Sequence, residues 1–285
     1  MIFVKLLSWL PFPALYGVSW LAYLIIYRVA GYRKGVVLDN LRHAFPDRSE
    51  KEITLLAKKF YRRFAQVALE IIKARRMSKA DFLQRVQVVN PELVRAASND
   101  SSRSVIIVTI HQGNWEWMLH GVTAALGVPL APVYKPLHNK GFNQLMLDVR
   151  SRFGSTPVAM DRASRDILRR RREFRLFVMV ADQSPIRSER SHWTTFMHRP
   201  AAFYLGAETL ARSTGFPVVF AQCRRRSTGH YEVEFHRLAE PPYVDDGHAV
   251  TERYVALAEQ AIRSEPESWL WTNRRWKRSQ PETAG

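Results

Sequence analysis

An apolar run followed at once by a polar turn most constrains how this chain can fold. Residues 105–110 consist only of Val, Ile and Thr, a composition typical of a strand buried on both faces. Gly113 then permits a tight turn, and Asn114 is a favourable N-cap for a helix that includes residues 117–119. The pattern predicts a strand–turn–helix unit within an α/β sheet.

This unit places His111 at the carboxyl end of the strand and Glu116 in the first turn of the next helix. In open α/β sheets, ligands bind at that edge. A histidine beside a carboxylate can act as a general base, because the carboxylate fixes the tautomer and stabilises the imidazolium. A structural histidine at a strand end is the competing interpretation and is the more common case. The strand–turn–helix context reduces that advantage of the structural interpretation over the catalytic one.

Alternating apolar segments predict further units along the chain. We expect strands over 130–134, 156–160, 176–181, 217–223 and 231–235, the last two paired as a hairpin, and helices over 142–153, 166–174, 204–213 and 250–264. The predicted fold class is therefore α/β, with a mixed sheet flanked by helices.

The region before the first unit is predicted to be helical. Ser49 and Glu52 form a capping-box pattern for a long helix with apolar positions every three or four residues. The basic residues between these positions fit either a solvated face or a helix lying on a membrane. Residues 78–97 are expected to hold one or two helices, broken at Pro91.

An uncharged stretch of 22 residues, 6–27, lies near the start of the chain. Its length can cross a hydrocarbon core of roughly 30 Å. Pro11 and Pro13 weaken its first third, so a tilted span and an anchor buried in one leaflet are both open interpretations. No small-residue cleavage site follows it convincingly, which favours a retained anchor. More Lys and Arg follow the segment than precede it, and this bias predicts that the rest of the chain is cytoplasmic. We therefore divide the chain into an anchor with its basic flank, 1–34, and a domain, 35–285.

The formal net charge of +17 indicates an anionic partner: nucleic acid, an acidic protein or a phospholipid surface. No nucleic-acid motif with interleaved aromatic residues is present, and an apolar anchor would be unusual in a nucleic-acid-binding protein. A non-enzymatic basic membrane-binding protein remains an alternative.

The lone Cys223 excludes an internal disulfide and a cysteine zinc cluster. No G-x-S-x-G motif supports a serine hydrolase.

Residues 111–116, His-Gln-Gly-Asn-Trp-Glu, have the His-x4-Asp/Glu form of the glycerolipid acyltransferases. Together with the anchor, residues 40–46, residues 182–183 and residues 271–277, this motif occurs in the order seen in bacterial lipid A acyltransferases. The chain resembles that family over nearly its whole length. The resemblance implies a glycerolipid-acyltransferase-like fold with an N-terminal membrane-anchor helix, at the inner membrane, with the catalytic domain on the cytoplasmic face.

By that resemblance, the enzyme transfers a fatty acyl chain from an acyl carrier protein thioester to a hydroxyl of a membrane lipid, a lipid A precursor. His111 would be the general base and Glu116 would orient it, and the chemistry requires no metal or diffusible cofactor. Two positions depart from the family pattern: Asn273 stands where the family often has His, and His198 where it often has Gly. Another glycolipid or an aminolipid is therefore an alternative acceptor.

Six further residues are candidates for substrate binding. Arg162 and Arg165 follow a predicted strand end and can hold a phosphate if they share the edge of His111. Asp182 also follows a strand end, where a structural and a catalytic role are equally open. The remaining candidates are Gln183, which follows Asp182, and Arg274 and Arg275, which would pair with a lipid phosphate or with core carboxylates. The arginine run 169–172 is expected to be mainly a solvated helix face, with donor docking as the alternative hypothesis.

Overall fold

The structure, a computed structural model, describes residues 2–186, 190–244 and 247–280. The first part of the chain is mainly helical and contains one short strand. Its elements are α1 (Ile2–Trp9), α2 (Phe12–Leu24) with a π-helical turn (Ile25–Val29), α3 (Lys34–Ala44), α4 (Glu50–Lys73), α5 (Lys79–Arg85), β1 (Val86–Val88) and α6 (Pro91–Ala97).

Strands and helices then alternate. The elements are β2 (Val105–Thr109), α7 (Trp115–Leu126), β3 (Leu130–Tyr134), α8 (Lys140–Arg150), β4 (Val158–Ala159), α9 (Ala163–Arg169), β5 (Leu176–Val180), β6 (Ser191–Phe196), β7 (Arg199–Tyr204), α10 (Gly206–Thr214), β8 (Val218–Ser227), β9 (His230–Ala239) and α11 (Ala249–Ser264). Short 3-10 turns cover Arg152–Gly154 and Pro266–Ser268.

Seven strands form one sheet in the order β1-β9-β8-β2-β5-β3-β4. The β8–β9 pair is antiparallel, and the other neighbouring pairs are parallel. The predicted α/β fold with a mixed sheet and a terminal hairpin is confirmed. The strand β2, which precedes His111, lies at the centre of the sheet, where β8 and β5 cover both of its edges.

Helices cover both faces of this sheet. One core cluster contains Ile106 and Val108 of β2 with residues of α3, α4, α10 and α11. The other contains Val105 and Ile107 of β2 with residues of α5, α6 and α7. Alternate residues of β2 thus enter opposite cores, which explains why its sequence is apolar at every position.

The long helix predicted from Ser49 and Glu52 is present as α4, and its capping box is formed in both directions. The prediction for residues 78–97 needs a correction, because the strand β1 separates α5 from α6. Pro91 begins α6 instead of breaking a helix. In the first turn of a helix the backbone N–H groups have no acceptor within the helix, so a proline there removes no helical hydrogen bond.

The hairpin β6–β7 was not predicted. Its two-residue turn consists of Met197 and His198, with φ of 50° and 66°. Hairpin turns of this kind need positive φ and usually contain Gly, Asn or Asp. Neither residue carries that signal, so the sequence gives no indication of the turn. Glycine adopts this conformation without the strain that a side chain brings.

One segment of the described chain, Phe12–Val29, is long and apolar enough to cross a membrane, and 22% of it is buried. It packs along α4. Tyr27 contacts Tyr61 with ring centroids 5.2 Å apart, and the Tyr16 hydroxyl donates to Glu70 Oε1 at 2.9 Å. The N-terminal helices are therefore attached to the helices of the sheet domain.

Candidate active site

The register of the two central strands brings His111 and Asp182 together. Thr109 of β2 pairs with Val180 of β5, and each side chain of interest follows two residues later on neighbouring parallel strands. The His111 Nδ1 atom lies 2.6 Å from Asp182 Oδ1, and the His111 backbone N–H donates to Asp182 Oδ2 at 3.0 Å. Both side-chain and backbone contacts thus hold the imidazole against this carboxylate.

Asp182 is a buried, ionised acceptor. It is 2% exposed, and Trp269 Nε1 donates to its Oδ2 at 2.7 Å. Burial alone would raise the pKa of this carboxyl, but the charge and hydrogen bonds of His111 and the Trp269 N–H outweigh burial and lower it. The carboxylate therefore accepts the proton on Nδ1 and leaves Nε2 as the basic nitrogen.

The second ring nitrogen of His111, Nε2, has Gln183 as its neighbour. This atom lies 3.4 Å from the side-chain nitrogen of Gln183. The Trp115 ring meets the imidazole edge-to-face at a centroid distance of 5.0 Å. The His111 side chain retains 16% exposure, so it is accessible from solvent.

Glu116 contacts Arg150 instead of His111. Arg150 Nε donates to Glu116 Oε2 at 2.9 Å, and Arg150 Nη2 donates to Oε1 at 2.5 Å. Burial would lower the pKa of Arg150, but this pairing raises it. In these contacts Glu116 is paired with Arg150 and not with the imidazole, which differs from the contact expected from the motif. Glu116 in the first turn of α7 meets the last turn of α8, while Asp182 occupies the Nδ1 side of the ring.

The turn after His111 has little room. Gly113 has φ of 60°, and a Cβ atom there would lie 2.5 Å from the Cys223 carbonyl oxygen. Asn114 caps α7 by accepting from the Trp117 N–H at 2.9 Å, and its amide donates to Glu70 Oε2 at the same distance. These contacts fix the path of the chain between the histidine and the helix.

Gly113→Ala is expected to destabilise the protein more than Gly127→Ala. Gly127 also has positive φ but open space at its Cβ position, so alanine there should cost about 1–2 kcal/mol through backbone strain. At Gly113 the clash should add about 1–3 kcal/mol. Chemical denaturation of both variants in detergent measures the difference, and equal losses would contradict the steric argument.

The first and last motifs of the chain meet behind the site. Asn40 Nδ2 donates to the carbonyl oxygens of Trp271 at 2.9 Å and Asn273 at 3.0 Å. Trp269, which donates to Asp182, lies two residues before this held segment. The role of Trp269 was not predicted from the sequence, and the neighbouring motif 271–277 was the signal that could have indicated it.

Arg162 and Arg165 lie on the predicted edge. They are exposed and follow β4, which continues the parallel run β2-β5-β3-β4. Three strand spacings separate β4 from β2, or about 14 Å. The run 169–172 ends α9 and precedes β5, so it lies at the opposite edge of the sheet from His111. Of these two groups, Arg162 and Arg165 follow the same edge of the sheet as His111, and the run 169–172 precedes the other edge.

Arg274 and Arg275 have different environments. Arg274 is exposed, whereas Arg275 is 1% exposed and donates to the Ala202 carbonyl oxygen at 2.7 Å. The Arg275 guanidinium lies 4.1 Å from the centroid of the Phe203 ring. Burial lowers the pKa of Arg275 to about 10, although the charge of Asp182 opposes the shift. In this position Arg275 supports the hairpin β6–β7 and is shielded from a lipid phosphate.

A small apolar cavity lies between α4 and the turn that follows His111. Gly113 and Trp115 line it together with Phe60, Phe64, Val67, Trp269 and Leu270. Arg63, Arg225 and Glu267 lie at its polar parts. Within the described ranges, no group of three or more His, Cys, Asp or Glu side chains is placed to hold a metal ion.

Comparison with known proteins gives one finding. A family model described as bacterial lipid A biosynthesis acyltransferase matches residues 1–278 of the chain. A search of curated proteins finds no match.

Proposed function

Because the chain belongs to the bacterial lipid A biosynthesis acyltransferase family, we propose that it moves a fatty acyl chain from an acyl carrier protein thioester to a hydroxyl of a membrane lipid. The acceptor is a lipid A precursor. The reaction takes place at the inner membrane, with domain 35–285 on the cytoplasmic face. The observation that carries the proposal is the His111 imidazole held by buried Asp182 at 2.6 Å.

His111 is the general base. With Nδ1–H donated to Asp182, the Nε2 lone pair accepts the proton of the acceptor hydroxyl while its oxygen attacks the thioester carbonyl. The tetrahedral intermediate collapses to the ester, the C–S bond breaks, and the imidazolium returns the proton to the thiolate. Asp182 balances the transient positive charge. The side-chain amide of Gln183, close to Nε2, is a donor for the developing oxyanion.

Exposed arginines fit the acceptor side of the reaction. Arg162, Arg165 and the exposed Arg274 are available to a phosphate. Glu116 and Arg150 support the first turn of α7. No step in this mechanism requires a cofactor.

A related acceptor is the second candidate. Arg263 Nη2 donates a hydrogen bond to His198 Nε2 at 3.2 Å, and the backbone carbonyl oxygen of Asn273 accepts one from Asn40. These are the two positions that depart from the family pattern, and a change of acceptor to another glycolipid or an aminolipid would be expected there. A non-enzymatic membrane-binding role would not require the buried His111–Asp182 pair.

The test is to incubate the purified protein with acyl carrier protein thioesters and a panel of lipid A precursors, other glycolipids and aminolipids. Mass spectrometry should detect one added acyl ester on a lipid A precursor. Acylation confined to another lipid class would replace the acceptor, and no acylated product with any lipid would contradict the enzymatic proposal.

The double replacement Arg162→Ser with Arg165→Ser should raise KM for the lipid acceptor about two- to thirtyfold, since each exposed charge pair contributes on the order of 0.2–1 kcal/mol. The matched control is Arg171→Ser with Arg172→Ser, which removes the same charge at the opposite edge of the sheet. KM is measured for donor and acceptor separately over a range of salt concentrations. Equal changes in both double variants would show that net charge, not position, is responsible.

A further inference from the structure

The segment most able to cross a membrane lies along a charged helix. Tyr16, Tyr23 and Tyr27 contact Glu70, Arg62 and Tyr61 of α4, respectively, so α2 and its π turn run antiparallel to α4. In α1 and the loop after it, the carbonyl oxygens of Ser8 and Leu10 accept from Lys73 Nζ at 3.1 and 2.7 Å. The contacts extend over most of the apolar segment.

The helix α4 cannot accompany this segment into hydrocarbon. It carries Lys58, Lys59, Arg62, Arg63 and Lys73, and a charged side chain at the centre of a bilayer costs at least about 2.5–3.5 kcal/mol. Crossing the membrane would therefore require α2 to leave α4. That separation would expose the buried face of α2, formed by Leu15, Ser19 and Tyr23, and would break the contacts described above.

The opposite face of the same helices is apolar and open. Six large side chains are each at least half exposed: Leu6, Trp9, Trp20, Leu21, Ile25 and Val29. A helix packed on a soluble domain normally presents charged and polar residues on its outer face. Here no charged residue occurs between Leu6 and Tyr27. We call these six side chains the outer apolar face.

Basic groups border the outer apolar face. Lys5 and Arg28 are exposed at its two ends, and the Arg76 guanidinium lies 3.3 Å from the centroid of the Trp9 ring. Long basic side chains and tryptophans take such positions at the headgroup level, with aliphatic parts in the lipid and charges in contact with anionic phosphates. The formal charge of +17 has the sign that an anionic leaflet attracts.

We propose that α1 and α2 lie in the plane of the membrane, with the outer apolar face inserted into one leaflet of an anionic phospholipid bilayer and no segment of them crossing it. This inference rests on the proposed membrane association, but not on the reaction. The helix α4, on which α1 and α2 pack, also lines the cavity at Gly113 and Trp115, just after His111, through Phe60, Phe64 and Val67. In-plane insertion therefore holds the reactive histidine next to the surface in which an acceptor lipid resides.

The two topologies differ in where the ends of the segment lie. In inverted inner-membrane vesicles, an in-plane arrangement leaves positions 5 and 28 on the outer, cytoplasmic side. A spanning helix would place position 5 inside the vesicle. The variants Lys5→Cys and Arg28→Cys are therefore treated with a membrane-impermeant maleimide, with and without detergent. Wild type measures the background, because Cys223 is buried and burial raises the pKa of its thiol to about 12.

Both variants should be labelled without detergent to the extent seen after detergent is added. Arg172→Cys, on the exposed surface of the sheet domain, reports the vesicle orientation. Protection of Lys5→Cys until detergent is added would overturn the proposal. Labelling needs no turnover, so this outcome is separate from the result of the acyl-transfer assay.

A second comparison tests the outer apolar face itself. Leu21→Lys should weaken binding to vesicles of phosphatidylglycerol, whereas Leu168→Lys, at an exposed leucine of α9, should not. Both variants add the same positive charge, so the comparison isolates the apolar contact. Equal binding of the two variants would show that the outer apolar face does not enter the bilayer.

Discussion

His111→Ala is expected to lower kcat for acyl transfer by about 10²–10⁴-fold, the usual contribution of a positioned general base. The imidazole is the group that accepts the hydroxyl proton in the proposed mechanism. Initial rates with saturating acyl carrier protein thioester and lipid acceptor measure the effect. Turnover within a few-fold of wild type would remove His111 from the catalytic role.

The His111→Ala variant should remain folded. After the substitution, Asp182 still accepts the backbone N–H of residue 111 at 3.0 Å and the Trp269 N–H at 2.7 Å. The buried carboxylate therefore keeps two of its donors. Circular dichroism and fractionation with membranes provide the controls, and both should match wild type. Loss of activity with these two properties unchanged separates a chemical defect from unfolding.

Asp182→Asn is expected to lower kcat nearly as much as His111→Ala, by about 10²–10⁴-fold, since loss of the carboxylate in a comparable buried Asp–His pair costs about 10⁴-fold. An amide can present its NH₂ group to Nδ1 and so favour the tautomer with the proton on Nε2. It also removes the charge that stabilises the imidazolium. Initial rates with both substrates saturating measure the effect, and turnover within a few-fold of wild type would contradict the role of Asp182.

Glu116→Gln is the matched comparison, because it makes the same carboxylate-to-amide change within the His-x4-Glu motif. Glu116 binds Arg150 and not the imidazole. We expect a loss of about 1–3 kcal/mol in the free energy of unfolding, as a charged hydrogen-bonded pair is broken. The kcat of the folded Glu116→Gln variant should stay within a few-fold of wild type. A large loss of kcat in Glu116→Gln together with wild-type kcat in Asp182→Asn would assign the orienting role to Glu116.

Local patterns were sufficient to predict much of the fold. The run 105–110 predicted a doubly buried strand, because each residue of β2 enters one of two cores. The capping box at Ser49 predicted the start of α4, because both of its hydrogen bonds lie within one turn of the helix. The family resemblance is confirmed by the match over residues 1–278. The pattern of β2 and the capping box of α4 each depend on residues close together in sequence.

The partner of His111 was not predictable in this way. Both Glu116 and Asp182 were visible as candidates, five and 71 positions away, respectively. Spacing favoured Glu116, but the pairing of Thr109 with Val180 places Asp182 against the ring. Strand register is a long-range property that depends on which strands become neighbours, and a single sequence does not specify that choice.

Neighbouring arginines that looked equivalent in the sequence differ in burial in the structure. Arg274 and Arg275 are adjacent and chemically identical, yet only Arg275 is enclosed by the hairpin β6–β7. That hairpin lacked a turn signal, so neither it nor the environment of Arg275 was predicted. Likewise, Arg162 and Arg172 belong to one basic region of the sequence, and the crossover through α9 places them at opposite edges of the sheet.

The sequence alone determined that residues 6–27 have no charge and that the chain is an α/β protein with a histidine at the end of a buried strand, because composition and periodicity are local properties. Tertiary structure decided which face of α2 is covered by α4, which carboxylate meets His111 and which arginines share its edge. Those outcomes depend on the packing of segments far apart in the chain, where burial and strand pairing select one arrangement among several with the same local patterns.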